Sequence, residues 1–236
     1  MELDSNRLMK EAAGKAVVDA LVKSGMKLGL GTGSTAIHAV RRVGELLAQG
    51  TLKDISAFVT SFQTEIECEK LGIPFYTMNS RELSGGLDLT IDGADEVDPQ
   101  NRLIKGGGGA MLIEKIAAYA SLDYAIIIDE SKLTERLGPG FPVPVEVVPA
   151  ARVPAAKVLE KFGADVMLRE ALRKAGPVIT EHGNLILDIR FRSLVDPVVM
   201  ETEINKIPGV VENGFFTGKY PVVYIARSNG TIETRN

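Results

Sequence analysis

Strands alternating with helices up to about residue 128, and a denser β-α-β-β-α-β run after residue 145, predict an α/β protein. The first pattern implies a doubly wound, mostly parallel, Rossmann-like sheet, and the second a smaller α+β, ferredoxin-like insert. The breaker-rich stretch Gly138-Pro139-Gly140-Phe141-Pro142-Val143-Pro144 separates the two textures. The expected domains are 1–137 with 213–236 for the main α/β part, and 138–212 for the small one.

In order, Leu8, Ala12, Ala16, Val17, Ala20 and Leu21 recur at helical spacing and make an amphipathic first helix. Met26–Leu30 is a short apolar strand running into a glycine loop, and a helix follows from Ala36 to Ala48. Ile55–Val59 reads as a strand, Thr64–Leu71 as a helix, and Leu87–Ile91 as a strand ending on Asp92. A helix over Ala110–Ala120 and the fully apolar strand Tyr124–Ile128 complete the alternation. The insert is expected to hold strands at Val145–Val148, Asp165–Leu168, Val178–Thr180, Leu185–Ile189 and Val210–Glu212. Its helices are Pro154–Phe162 and Pro197–Asn205, and His182-Gly183-Asn184 reads as a hairpin turn. Pro221–Ala226 and Thr231–Thr234 form a strand pair returning to the main sheet.

The chain has 236 residues, enough for a main domain and a smaller one, and a net charge of −4 that argues against a general nucleic-acid binder. Cys68 is the only cysteine, so intrachain disulfides and thiolate metal clusters are excluded, which suits a reducing compartment. No apolar run is long enough to span a membrane, and the first residues lack a signal-peptide core. A cytoplasmic location is expected; a mature plastid stromal protein would read the same way.

Two segments carry chemistry. Gly29-Leu30-Gly31-Thr32-Gly33-Ser34-Thr35 joins a strand to a helix, where backbone amides and hydroxyls favour an anion. It lacks the lysine of a Walker A loop and the spacing of the dinucleotide fingerprint. A tight turn with an N-cap is the plainer alternative.

The second segment starts at Asp92-Gly93-Ala94-Asp95, continues through Lys105-Gly106-Gly107-Gly108-Gly109, and ends at Glu114. Asp92 and Asp95 follow the carboxyl end of a strand, where open α/β sheets bind ligands. They read as catalytic or hydroxyl-binding groups, as turn residues, or as metal ligands. The calcium-loop pattern fails, because its sixth position is Val97. Glu96 and Asp98 are expected to be solvated or paired with nearby bases. Lys105, between an apolar pair and the glycines, can hold an oxyanion or be an ordinary surface charge. Glu114 is either a proton-transfer base or a first-turn acid favoured by the helix dipole. His38 and His182 lie in unlike settings without a triad context and read as structural.

In this order and spacing, these motifs resemble the type A ribose-5-phosphate isomerase family. Thr60-Ser61-Phe62-Gln63-Thr64-Glu65, Glu114-Lys115, Ser131-Lys132 and the run from Gly183 to Asp188 extend the resemblance over nearly the whole chain. Gly109 lengthens the usual glycine triplet, and Thr60–Gln63 is bulkier than a serine-rich version. The resemblance implies that Glu114 is the base shuttling a proton between C1 and C2, and that Lys105 stabilises the enediolate oxygen. Asp92 and Asp95 would bind hydroxyls and assist ring opening. Thr32, Gly33, Ser34, Thr35, Gly93, Ala94, Gly106, Gly107 and Gly108 would line the substrate, with Lys132 and Lys10 near its phosphate. It further implies a sugar-phosphate substrate, no metal or organic cofactor, no nucleic-acid or membrane partner, and a homodimer or homotetramer. Another sugar-phosphate isomerase or deaminase on a related fold, a sugar-phosphate sensor and a coenzyme A transferase are the competing readings.

Overall fold

A computed structural model of the chain describes residues 2–236, with side chains from residue 7 onward. In chain order the elements begin α1 (Glu2–Leu21), β1 (Lys27–Leu30), α2 (Ala36–Ala48), β2 (Ser56–Val59), α3 (Phe62–Leu71) and β3 (Leu87–Asp92). Next come β4 (Glu96–Val97), β5 (Leu103–Ile104), α4 (Met111–Tyr119), β6 (Ser121–Asp129), β7 (Val143–Val147), α5 (Arg152–Lys161) and β8 (Ala164–Leu168). The chain ends with β9 (Leu185–Phe191), α6 (Pro197–Asn205), β10 (Val210–Asn213), β11 (Phe215–Phe216), β12 (Val222–Ala226) and β13 (Ile232–Arg235). Among the described residues no helix is long and apolar enough to cross a membrane.

The chain divides into two compact units. The first comprises Met1–Ala94, Ile113–Leu133 and Lys219–Asn236. Its six-stranded sheet has the order β13-β12-β6-β3-β1-β2 and is parallel except for the β12–β13 pair. The alternating elements thus form the doubly wound sheet that the sequence predicts. Leu28, Leu30, Leu89, Ile91, Ala125 and Ile127 pack with Val17 and Val40 into its main core. Burial of each such aliphatic side chain contributes roughly 1.5–3 kcal/mol. From β1 the chain goes first to β2 and then crosses to β3 on the other side, so strand order reverses between β1 and β3. Ligands of open α/β sheets bind outside the carboxyl ends of the strands at such a reversal.

The even spacing of Gly29 and Gly31 has a packing cause. Both face the side of the sheet occupied by Thr90 and Asp92 on β3. A Cβ on Gly29 would meet Thr90 Oγ1 at 1.9 Å, and one on Gly31 would meet Asp92 Oδ1 at 2.0 Å. Thr90 uses that space to pair with Ser121 Oγ at 2.6 Å and to donate to the Ala117 carbonyl of α4.

The second unit comprises Asp95–Leu112 and Thr134–Gly218. Its antiparallel sheet has the order β10-β7-β9-β8, and with α5 and α6 the chain runs β-α-β-β-α-β. Val143, Val145, Val147, Leu187 and Ile189 form its core with Leu159 and Ile204. A second, three-stranded sheet has the order β11-β5-β4.

Three local expectations differ from the structure. Val178–Thr180 is not a strand: Ile179 only bridges Leu185, and Thr180 donates its N–H to the Asn184 carbonyl, closing a short turn. The strand beside β9 is therefore β8. The breaker stretch ends inside β7, whose Pro144 lies one residue outside the length paired with β10; there its carbonyl accepts from Gly214. The division into units also differs from 1–137 and 138–212, because β5 pairs with both β4 and β11, and residues 95–112 and 213–218 fall in the second unit.

Gly29→Ala is expected to lower stability by about 1–3 kcal/mol, the usual cost of overpacking a close backbone approach. Urea unfolding checks this; an unchanged midpoint would show that β1 and β3 separate freely.

Candidate functional site

In the first unit the carboxyl ends of β1, β3 and β6 lie at one end of the parallel sheet. Asp92, the last residue of β3, is fully buried. Its Oδ1 accepts N–H bonds from Thr32 at 3.1 Å and Gly93 at 2.7 Å. The missing side chain of Gly31 leaves room for this carboxylate. The first glycine loop is thus fastened to one of the acids that the sequence singled out.

The same loop is braced from β2 and α3. Thr32 Oγ1 bonds Thr60 Oγ1 and Ser61 Oγ, both at 2.6 Å, and Gly33 N–H donates to Gln63 Oε1. Ser34 Oγ accepts from Lys10 Nζ at 2.9 Å, which ties Lys10 of α1 to the loop. Thr35 is the N-cap of α2 but forms no side-chain cap bond, so capping does not explain its hydroxyl. Lys132 sits at the end of a 3-10 turn after β6, where Asp129 accepts from the N–H and hydroxyl of Ser131.

Glu114 lies in the first turn of α4 and is 5% exposed. Tyr124, opposite Thr90 in the register of β6 and β3, belongs to the same neighbourhood. Its hydroxyl is buried and makes no hydrogen bond among the described residues. Burial, and then the negative charges of Asp92 and Glu114, push the phenol well above its ordinary range. A neutral phenol beside two carboxylates offers a hydrogen-bond donor. Tyr124 had no recognisable signal in the sequence, where it reads as one more residue of an apolar strand.

In the second unit Asp95, Lys105 and the glycine loop come together around β4 and β5. Asp95 N–H donates to the Ile104 carbonyl, and Asp95 Oδ2 accepts from Gly107 N–H at 2.7 Å. Lys105 is 2% exposed; its N–H donates to the Gly214 carbonyl, and its ammonium stands 5.8 Å from the Phe216 ring centroid. That distance permits a cation–π attraction. Lys105 is therefore not the ordinary surface charge. Gly106 has φ +99°, and a Cβ there would meet Met111 at 2.9 Å, so the loop cannot accept a side chain at its start.

Glu96 is not solvated. It is buried and holds the loop after residue 137 by accepting the Gly138 N–H at 2.7 Å; burial pushes its carboxyl up, with backbone amides of 138, 140 and 141 opposing. Asp98 is buried and pairs with the Arg102 guanidinium at 2.6 Å, bracing the β4–β5 turn. The sequence also gave no hint of Arg169. It pairs with Asp188 and reaches the carbonyls of Gly106 and Gly107. Among the described residues no three His, Cys, Asp or Glu side chains converge as a metal-binding group. Cys68 is buried, and burial pushes its thiol up to about 12.

The model of the family described as ribose 5-phosphate isomerase A (phosphoriboisomerase A) matches residues 56–230. Ribose-5-phosphate isomerase A of Treponema denticola is 50% identical over 98% of this chain and 99% of its own length. The protein of the same name from Trichodesmium erythraeum is 45% identical, covering 95% and 93%. Among solved structures, ribose 5-phosphate isomerase A of Methanocaldococcus jannaschii superposes with a TM-score of 0.90 at 40% identity, covering 97% of this chain and 98% of that one. A D-ribose-5-phosphate isomerase in complex with phospho-erythronic acid gives 0.91 at 38%, covering 97% of each chain.

Asp92→Ala removes the acceptor of two amides and should cost about 1–3 kcal/mol, the penalty for buried donors left unsatisfied. Asp92→Asn keeps an acceptor oxygen and should cost less. Chemical denaturation of both variants checks the order; equal losses would mean that the Thr32 and Gly93 bonds are not what Asp92 contributes to the fold.

Proposed function

The chain belongs to the ribose 5-phosphate isomerase A family, and we propose that Glu114 and Lys105 carry its proton-transfer step. The protein is an aldose–ketose isomerase that interconverts D-ribose 5-phosphate and D-ribulose 5-phosphate, a reaction of the non-oxidative pentose phosphate pathway. The observation that carries the assignment of roles is burial: a carboxylate 5% exposed and an ammonium 2% exposed, on the two sides of one glycine loop in sequence. Burial of ionisable groups is costly and is retained where it serves a site.

The proposed sequence of events starts with ring opening, helped by the carboxylates of Asp92 and Asp95 at the sugar hydroxyls. Glu114 then takes the proton from C2 of the open-chain aldehyde. The C–H electrons form the C1–C2 double bond, and the carbonyl electrons move onto O1. Lys105 stabilises that enediolate oxygen. The protonated Glu114 returns its proton to C1, while O1 gains and O2 loses a proton, which leaves the ketose. One well-placed oxyanion donor contributes about 3–4 kcal/mol to such a step. The loop Thr32–Thr35, with Gly93, Ala94 and Gly106–Gly108, supplies backbone amides and hydroxyls for the substrate. Lys10, bonded to Ser34, and Lys132 supply charge for the phosphate. The reading includes no metal or organic cofactor, a homodimer or homotetramer, and a cytoplasmic location.

Proton NMR of ribose 5-phosphate with the protein in heavy water tests the reading through ribulose 5-phosphate formation and deuterium uptake at carbon. Glu114→Gln, which keeps size but removes the base, should lower kcat by about 10²–10⁴. Near-normal exchange at C2 in that variant would give the role of base to another residue. Thr35→Ala and Lys132→Ala should raise KM more than they lower kcat, because phosphate binding is largely uniform between ground and transition states. Equal turnover of ribose and ribose 5-phosphate would remove phosphate recognition from these residues.

A further inference from the structure

The glycine loop of the second unit is oriented by a guanidinium that lies far from it in sequence. Arg169 follows β8, and its own backbone is fixed on both sides. Its N–H donates to the Ile186 carbonyl at 2.9 Å, and its carbonyl accepts from Val178 at 2.8 Å. The side chain points Nε at Asp188 Oδ2, 2.8 Å away, and Nη2 at Asp188 Oδ1, 2.5 Å away. The remaining arm, Nη1, donates to the carbonyls of both Gly106, at 2.9 Å, and Gly107, at 3.0 Å. Arginine and aspartate side chains are 14% and 19% exposed.

We infer that Arg169, held by Asp188, is a positioning residue for the isomerase reaction: it sets the two peptide planes that follow Lys105. The inference rests on the role proposed above for Lys105 and its loop. The peptide bond is planar and trans, so each N–H points opposite to the carbonyl of the same plane. Drawing the Gly106 carbonyl to Arg169 turns the Gly107 N–H the other way, onto Asp95, where it is found. Drawing the Gly107 carbonyl to the same arm turns the Gly108 N–H away from Arg169 in the same manner. Aiming of Asp95 and of one loop amide therefore depends on a single side chain.

The loop needs an external hold. Successive glycines lose more backbone entropy on ordering than any other residues. A flat guanidinium can bind a carboxylate through two arms and two carbonyls through the third, a geometry that a lysine ammonium cannot reproduce. The pair also explains why Asp188 stands on the central strand β9, opposite Met167 of β8 and Pro144 of β7.

The test compares Arg169→Lys with the unaltered chain by steady-state kinetics on ribose 5-phosphate and by NMR amide exchange at Gly107 and Gly108. Arg169→Lys should lower kcat roughly 10- to 100-fold, the scale of a small misplacement of catalytic groups, with a smaller change in KM. Exchange at the Gly107 amide, which Asp95 holds, should quicken relative to that of exposed Gly108, while the circular dichroism of the fold is unchanged. Guanidinium ion added to Arg169→Ala should restore part of the lost kcat, which a purely structural role would not allow. A folded Arg169→Lys with kcat within about twofold of the original and unchanged amide exchange overturns the inference. If Arg169→Lys does not fold, Asp188→Asn, which keeps the guanidinium and loosens its fork, decides in the same way. Failure of the unaltered chain to isomerise ribose 5-phosphate would instead remove the proposed function. Amide exchange would still report whether Arg169 orders the loop.

Discussion

Asp92 can occupy its place only because Gly31, the residue just after β1, offers it no side chain. Gly31 leaves the space, the Thr32 and Gly93 amides fill the carboxylate's Oδ1, and the reversal of strand order puts all three at one end of the sheet. A buried carboxylate needs such bonds, since desolvation without them costs several kcal/mol. Fastening Asp92 also fastens the glycine loop, and through Thr32 the hydroxyl groups of Thr60 and Ser61. The arrangement is interdependent: a side chain at Gly31, or a longer one at Thr32, would disturb the acid and the loop together.

Most of the fold was legible because its signals are periodic. The apolar strands Leu87–Ile91 and Tyr124–Ile128 lie inside β3 and β6, and α2 and α6 span the residues that their patterns predict. The three-stranded sheet was not legible. Its strands are two residues long, too short for alternation to register, and the pairing of β5 with β11 crosses more than a hundred residues of sequence. Val178–Thr180 looked like a strand through its β-branched residues, yet a single bridge and a tight turn satisfy its backbone.

Residues flanked by glycine or followed by a change of element were visible as candidates: Asp92, Asp95 and Lys105 stand at such boundaries, and Glu114 lies in the first turn of the helix that the second glycine run opens. Residues that act on the backbone of others were not. Arg169 sits between a strand and an irregular segment, and nothing around it in sequence points to residues 106 and 107. Tyr124 is hidden by its apolar neighbours, although its hydroxyl lies beside two acids. Glu96 read as solvated or paired with a nearby base because its partners are backbone amides, which leave no trace in residue type. Sequence reveals groups that need a particular side chain more readily than groups that need a particular peptide plane.

The interleaving of the two units has a consequence for how the chain is made. β12 pairs with β6 and β13 with β12, so the larger sheet lacks part of its edge until residues 222–235 emerge during synthesis. The second unit has all its strands by Phe216. A growing chain can therefore finish the middle before the beginning, reversing the usual order in which domains fold from the N-terminus. Until then Ile126 and Ile128 of β6 stand on an unpaired apolar edge, the kind of surface that attracts chaperones or a neighbouring nascent chain.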